Sequence, residues 1–235
     1  LVVVVVVVVI MILKNYVWQA TNFFTQHEVN EIHRIAEITP LQDGLTGNID
    51  ADPDGNHDET GNKNDEIRQS QVKWLEHQGR FEQLPWLVEK IWEGVNLAKQ
   101  ECAWGHSFEY IENLQYTIYN AQPKKKGDFY TWHTDAGDGV YPNGMHRKLS
   151  FSIQLSNPDE YEGGHFQWLE PHNEFNKMQS NYKVDLEDSV RSIPFSSKEI
   201  GSMIVFPSFL YHQVTPVLKG TRKSLVSWCV GHPYV

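Results

Sequence analysis

From residue 110 onward the chain is written in short β-branched and aromatic runs separated by turn residues, and that cadence constrains the fold more than any other feature. The runs fall at 111–119, 129–134, 149–155, 164–169, 199–206 and 222–230, with the length and punctuation of strands that return on themselves. The pattern predicts an antiparallel sandwich or barrel.

Upstream, the periodicity changes from two to 3.6. Residues 25–38 open with Thr25 and, three positions on, Glu28, the spacing of a capping box. Val29, Ile32, Ile35 and Ala36 then recur at helical intervals, which predicts an amphipathic helix. A second helix is predicted over 81–103, with Pro85 near its start and Leu87, Val88, Ile91, Val95 and Leu97 on its apolar face. Trp86, Trp92 and Trp104 are expected to serve the core. With 235 residues, 40% of them hydrophobic, the chain can bury the core of a single domain.

Thirty acidic against 20 basic residues give a formal charge of −10, which opposes attraction to nucleic acid or an anionic membrane. The cluster Lys124-Lys125-Lys126 is too small to reverse it, so a peptide or small molecule is the expected partner. Cys102 and Cys229 lie far apart without a CxxC spacing, which argues against a disulfide framework or zinc ribbon and for a reducing cytoplasm. The run LVVVVVVVVI lacks a basic flank and a cleavage site and is too short to span a bilayer. Residues 1–10 are therefore read as a non-native or unassigned extension before Met11.

Residues 43–64 are rich in Gly, Asp and Asn, with little to bury, and are expected to form a mobile loop at the substrate entrance. Within them Asp50, Asp52, Asp54 and Gly55 imitate the start of a calcium loop. Position twelve is Gly61, where a bidentate Glu is required, so the match fails where affinity is decided.

The stretch FYTWHTDAGDG, residues 129–139, carries the chemistry. In extended backbone His133 and Asp135 point the same way, able to present a nitrogen and a carboxylate oxygen to one point. His212, after the apolar strand IVFPSFLY, falls where a barrel rim would bring it over the earlier strand. Two His and one carboxylate on one face of a metal leave the opposite positions open, as in non-haem Fe(II) oxygenases. Ten residues beyond His212 come Arg222 and Ser224, sharing a strand face with Val226 and Trp228. A guanidinium with a neighbouring hydroxyl suits the distal carboxylate of a dicarboxylic acid. His146, His165 and His172 are expected to be ordinary surface or hydrogen-bonded histidines.

In combination these residues resemble the Fe(II)- and 2-oxoglutarate-dependent dioxygenases, and within them the prolyl 4-hydroxylase type. The resemblance is carried by Tyr119, Tyr130-x-x-His133-x-Asp135, the glycines of Tyr161-Glu162-Gly163-Gly164, and His212 followed by Arg222-x-Ser224. It implies a double-stranded β-helix, or jelly-roll barrel, over about 106–235. Helical support over about 15–105 completes one dioxygenase domain, 11–235. His133, Asp135 and His212 would bind Fe(II), Arg222 would pair with the C5 carboxylate of 2-oxoglutarate, and Ser224 and Tyr119 would assist. Tyr130 and Trp228 would border the substrate. Two positions depart from the pattern: His165 stands where many relatives have Glu, and Gln154 replaces a tyrosine. Gln154, with Ser150 and Ser152, is expected on a polar strand face lining the co-substrate pocket.

The implied reaction is hydroxylation of an unactivated C–H by O₂, coupled to decarboxylation of 2-oxoglutarate to succinate, with ascorbate as an accessory reductant. A prolyl residue in a peptide or protein is the first substrate implied, and a free amino acid or other small molecule the alternative. A zinc hydrolase or a catalytically silent jelly-roll module is a more distant reading. The hydrolase would have no use for Arg222-x-Ser224, and the silent module would be expected to lose a ligand.

Overall fold

The computed structural model describes residues 16–46, 63–75, 84–136, 141, 143–170, 190–193 and 198–233. The calcium-like stretch, His172 and most of the 43–64 loop lie outside them. In chain order the elements are β1 (Trp18–Ala20), α1 (Gln26–Glu37), β2 (Gln42–Asp43), β3 (Arg68–Gln69), β4 (Gln71–Leu75) and α2 (Pro85–Glu101), then β5 (Tyr110–Ile111), β6 (Leu114–Asn120), β7 (Phe129–His133) and β8 (His146–Gln154). A 3-10 turn (Pro158–Glu160) leads into β9 (Tyr161–Gly163), β10 (Phe166–Leu169), β11 (Val190–Ser192), β12 (Met203–Pro207), β13 (His212–Val214) and β14 (Val217–Gly231).

Two antiparallel sheets result. The larger runs β1-β12-β8-β14-β6-β4-β2, with β5 and β9 also paired to β14; the smaller runs β11-β10-β13-β7-β3. This is the expected jelly roll. The chain passes from the small sheet to the large one at Ser70, between β3 and β4, and that crossing places Arg68 between the layers. The sequence reading missed β1 to β3, β9, β11 and β13, each of two or three residues, and also the five-residue β4; β2 and β3 have no apolar alternation to reveal them.

Both helices pack on the outside of the large sheet. Thr25 and Glu28 form the full capping box, and Val29, Ile32, Ile35 and Ala36 are buried. On α2 the buried set is Leu87, Ile91, Gly94, Val95 and Ala98, while Leu97 is exposed. At 100° per residue Leu97 sits well off the face shared by Ile91, Val95 and Ala98, so it was misassigned. Trp104 is buried and Trp86 and Trp92 pack against the same core. Strand β12 is buried throughout because it serves two layers: Met203 and Val205 join the helix-side core, whereas Ile204 and Phe206 join a second cluster with Phe166. Among the described residues no helix is long and apolar enough to cross a membrane.

Candidate active site

The two sheets enclose a cavity lined by residues of both, including His133, Asp135, His212, Tyr119, Tyr130, Arg222, Ser224 and Trp228. His133 ends β7 and His212 begins β13, and the two are register partners. Asp135 lies just past β7, where its backbone N–H and that of Ala136 donate to the Ser208 carbonyl, both at 2.9 Å. Ser208 is in turn tied to Ser150 through their hydroxyls at 2.9 Å. The carboxylate is thus held by backbone anchors rather than by the strand ladder.

The donor set fits a divalent metal of the Fe(II) type. One ligand atom from each of His133, Asp135 and His212 lies within 4.8 Å of the others. The two imidazole Nε2 atoms stand 3.6 and 3.5 Å from the two Asp135 oxygens. Each Nδ1 lies against a backbone carbonyl, Thr131 at 2.7 Å and Leu210 at 2.8 Å. Donating there fixes the tautomer and leaves the Nε2 lone pair facing Asp135. Burial, with His133 beside it, pushes His212 down to about 4, so its ring is neutral near pH 7. Burial works against ionisation of Asp135, yet His212 and His133 hold its carboxyl well below the ordinary range. Two imidazole nitrogens and one carboxylate make the three-point face that non-haem iron uses.

The rest of the wall comes from the alternation of two neighbouring strands. Arg222 pairs with Tyr119, Ser224 with Thr117 and Val226 with Gln115, all facing the cavity. Arg222 is buried, its guanidinium lies 5.7 Å from the Tyr119 ring centroid, and no described carboxylate pairs with it. Ser224 Oγ is buried without a hydrogen-bond partner, and so is Trp228 Nε1. A cation and an orphaned hydroxyl two positions apart on one strand face are what a bound carboxylate would satisfy. Burial raises the Tyr119 phenol, against the pull of Arg68 and Arg222, and lifts Tyr130 to about 12, so both remain protonated donors.

The glycine pair now has a physical reason. Gly164 has φ +57°, and a Cβ there would stand 2.8 Å from Arg222 Cδ. Gln154, by contrast, is not on the cavity wall: its amide donates to the Ser156 carbonyl at 3.1 Å and the Tyr161 hydroxyl at 3.0 Å. Of the polar face expected on β8, only Ser152 lines the cavity. His165 lies outside it, its ring against Lys198. Sequence reasoning missed Arg68, Gln115 and Thr117. For the last two, alternation with Tyr119 along β6 was a usable signal.

A jelly roll with two imidazoles and a carboxylate beside an arginine that no described carboxylate pairs defines a metal-dependent oxygenase scaffold. The family model described as the 2OG-Fe(II) oxygenase superfamily matches residues 114–230, and the chain belongs to that superfamily. Membership implies Fe(II) as cofactor and 2-oxoglutarate and O₂ as co-substrates. A PKHD-type hydroxylase of Shewanella baltica is 33% identical over 103 residues, 43% of this chain and 38% of the relative. One of Burkholderia ambifaria is 32% identical over 100 residues, 41% of this chain and 35% of the relative. The matched region thus spans little more than a third of those hydroxylases. Among solved structures, a Pseudomonas putida prolyl-4-hydroxylase superposes with TM-score 0.56 at 19% identity, covering 92% of both chains. A prolyl hydroxylase from Trichoplax adhaerens, solved with a hypoxia inducible factor oxygen degradation domain peptide fragment, gives 0.57 at 16%, covering 92% of this chain and 84% of its own. These likenesses are of fold.

Proposed function

We propose that this chain is a 2-oxoglutarate-dependent dioxygenase that hydroxylates a prolyl residue in a peptide or protein. The observation that carries the reading is the convergence, in one buried cavity, of the His133–Asp135–His212 face with Arg222 and the orphaned Ser224 hydroxyl. When bound, Fe(II) with 2-oxoglutarate supplies the oxidising chemistry, in which O₂ contributes one atom to the substrate C–H and one to succinate, and CO₂ is released.

The residues of the chain supply position. His133, Asp135 and His212 would hold the metal on one side, leaving the cavity side for ligands. Arg222 would take the distal carboxylate of 2-oxoglutarate, Ser224 Oγ would donate the second hydrogen bond, and Tyr119 would close that end. Tyr130, stacked on the His133 ring at 3.5 Å between centroids, and Trp228 would border the substrate. Phe166 and Phe206 pack on His212 with centroids 5.4 and 4.7 Å away, screening that ligand from water. Peptide binding by the Trichoplax neighbour supports a peptide substrate here. The two cysteines are free and buried, which suits a cytoplasmic setting.

The test is succinate formation from 2-oxoglutarate with Fe(II) and proline-containing peptides, alongside a search for a mass gain of one oxygen. Succinate that appears with Zn(II) and not with Fe(II), or not at all, would sink the reading.

A further inference from the structure

The described arginines divide into two groups. Arg34, Arg147 and Arg191 each pair with a glutamate, at 2.6, 2.7 and 2.8 Å. Arg222 and Arg68 do not, and both line the cavity. Arg222 has an expected anion in 2-oxoglutarate. Arg68 has none.

Arg68 is buried, at 7% exposure, yet its hydrogen bonds among the described residues all go to neutral groups. Nε donates to Ser70 Oγ at 2.8 Å, Nη1 to the Leu45 carbonyl at 3.0 Å and Nη2 to Gln115 Oε1 at 2.8 Å. A guanidinium has five N–H groups, so these contacts orient it and leave donors unused. Behind it lies a polar cleft with Asp43, Asp65 and Asp128. Asp43 is paired with Lys63 at 2.7 Å, Asp128 accepts from Asn120 N and Gln122 Nε2, and no described acid pairs with Arg68. A buried cation without a counter-charge is costly unless a ligand completes it.

The place of this cation is informative. Its guanidinium lies 4.9 Å from the Tyr130 ring centroid, and Tyr130 stacks on His133, so Arg68 stands one aromatic ring from the metal face. It is tied to Gln115, opposite Val226, whereas Arg222 is opposite Tyr119. Those two backbone points are four residues apart along the strand, roughly 13 Å, so the two cations are anchored at different levels of the cavity wall. Trp228, whose Nε1 has no hydrogen-bond partner among the described residues, lies two positions beyond Val226 on the same strand.

We propose that Arg68 binds a carboxylate of the primary substrate, so that the site takes an amino acid or peptide presenting an anion beside the C–H to be hydroxylated. This deepens the dioxygenase reading and rests on it for the reaction, though not for the binding. The carboxylate has two possible sources, an α-carboxylate or an acidic side chain next to the prolyl residue.

Two matched pairs separate them: L-proline against L-prolinamide, and acetyl-Ala-Pro-Asp-Ala-amide against its Asn counterpart. Each is measured for turnover and, by calorimetry, for binding to the wild-type protein. The expected result is an acid-over-amide preference of at least about 30-fold in one pair, and the responding pair names the source. Arg68→Gln should collapse the preference to near unity and Arg68→Lys should retain part of it. Acid and amide that bind alike in both pairs, or fail to bind at all, would overturn the proposal, as would a preference unchanged in Arg68→Gln. Loss of 2-oxoglutarate turnover in the wild type would strike the dioxygenase reading while the binding comparison still judges Arg68.

Discussion

His212 stands directly opposite His133 in the antiparallel register of β13 and β7, with ring centroids 4.2 Å apart. The register slips between His212 and Val214, whose partner is Tyr130, so β7 carries one residue more than β13 over this interval. Such bulges re-aim side chains beside functional sites, and here the irregularity lies next to both imidazoles.

His212→Ala and Asp135→Ala should each weaken Fe(II) binding by at least about 100-fold, since even outer partners of metal ligands cost 10–100-fold. Anaerobic Fe(II) titration of the folded variants checks this. Affinity within a few-fold of wild type in either would remove that residue from the metal face.

Arg222→Ala should raise the 2-oxoglutarate KM by about 30-fold or more, with Arg222→Lys intermediate, because a point charge replaces the fork. Ser224→Ala should raise it less, by about threefold to tenfold, and should leave the urea midpoint unchanged. Its Oγ has no partner in the fold to lose. An equal drop in Fe(II) affinity for Arg222→Ala would count against an anion clamp separate from the metal.

The two helices and the strand runs were legible because their packing is local, although the run at 199–206 is strand only from Met203: the Val29–Ile32–Ala36 stripe and the Leu149–Phe151–Ile153 alternation mark the residues that join the helix-side core. The triad was legible because His133 and Asp135 share a face in any extended chain. Arg68 was not, because its burial depends on a two-residue strand and on Gln115, 47 positions away. Gln154 was misplaced for the opposite reason. Alternation gave its side of the sheet, but the Tyr161 hydroxyl decided where its amide went.

Arg147 lies with its guanidinium 3.6 Å from the Trp228 ring centroid and is held by Glu112 through Nε–Oε1 at 2.8 Å and Nη2–Oε2 at 2.7 Å. Tyr141 also donates to Glu112. Glu112→Ala leaves a part-buried cation without its carboxylate and should cost about 3 kcal/mol. Glu112→Ala with Arg147→Met should recover a substantial part of that in urea unfolding. A double variant no more stable than the single would show that the pair is not the source of the loss.

His106 provides a pH test away from the metal face. Burial, with Lys148, Lys99 and His146 nearby, lowers it from 6.5 to about 4. The unfolded chain takes up a proton below 6.5 that the folded chain refuses until about 4, so stability is lost as pH falls through that window. The loss attributable to this group is on the order of 2 kcal/mol. His106→Gln should therefore flatten the fall in urea midpoint between pH 7 and 4.5 relative to wild type. Parallel curves would mean that His106 does not drive it.

The adjacent glycines should fail in different ways. A Cβ on Gly163, φ +79°, would stand 2.2 Å from the Pro216 carbonyl oxygen, which also accepts from Gly164 N at 3.0 Å and cannot easily withdraw. Gly163→Ala should therefore lose several kcal/mol of stability, more than the ~1–2 kcal/mol of a left-handed residue alone, while the folded fraction keeps its 2-oxoglutarate KM. A Cβ on Gly164 meets Arg222 Cδ at 2.8 Å and Val217 Cγ2 at 3.1 Å, both side-chain atoms that can move. Gly164→Ala should cost nearer the ~1–2 kcal/mol of its backbone and instead displace Arg222, raising the 2-oxoglutarate KM by about tenfold. Urea unfolding and succinate kinetics on the two variants side by side decide the matter. A Gly164→Ala protein with wild-type KM would show that the close approach does not position Arg222.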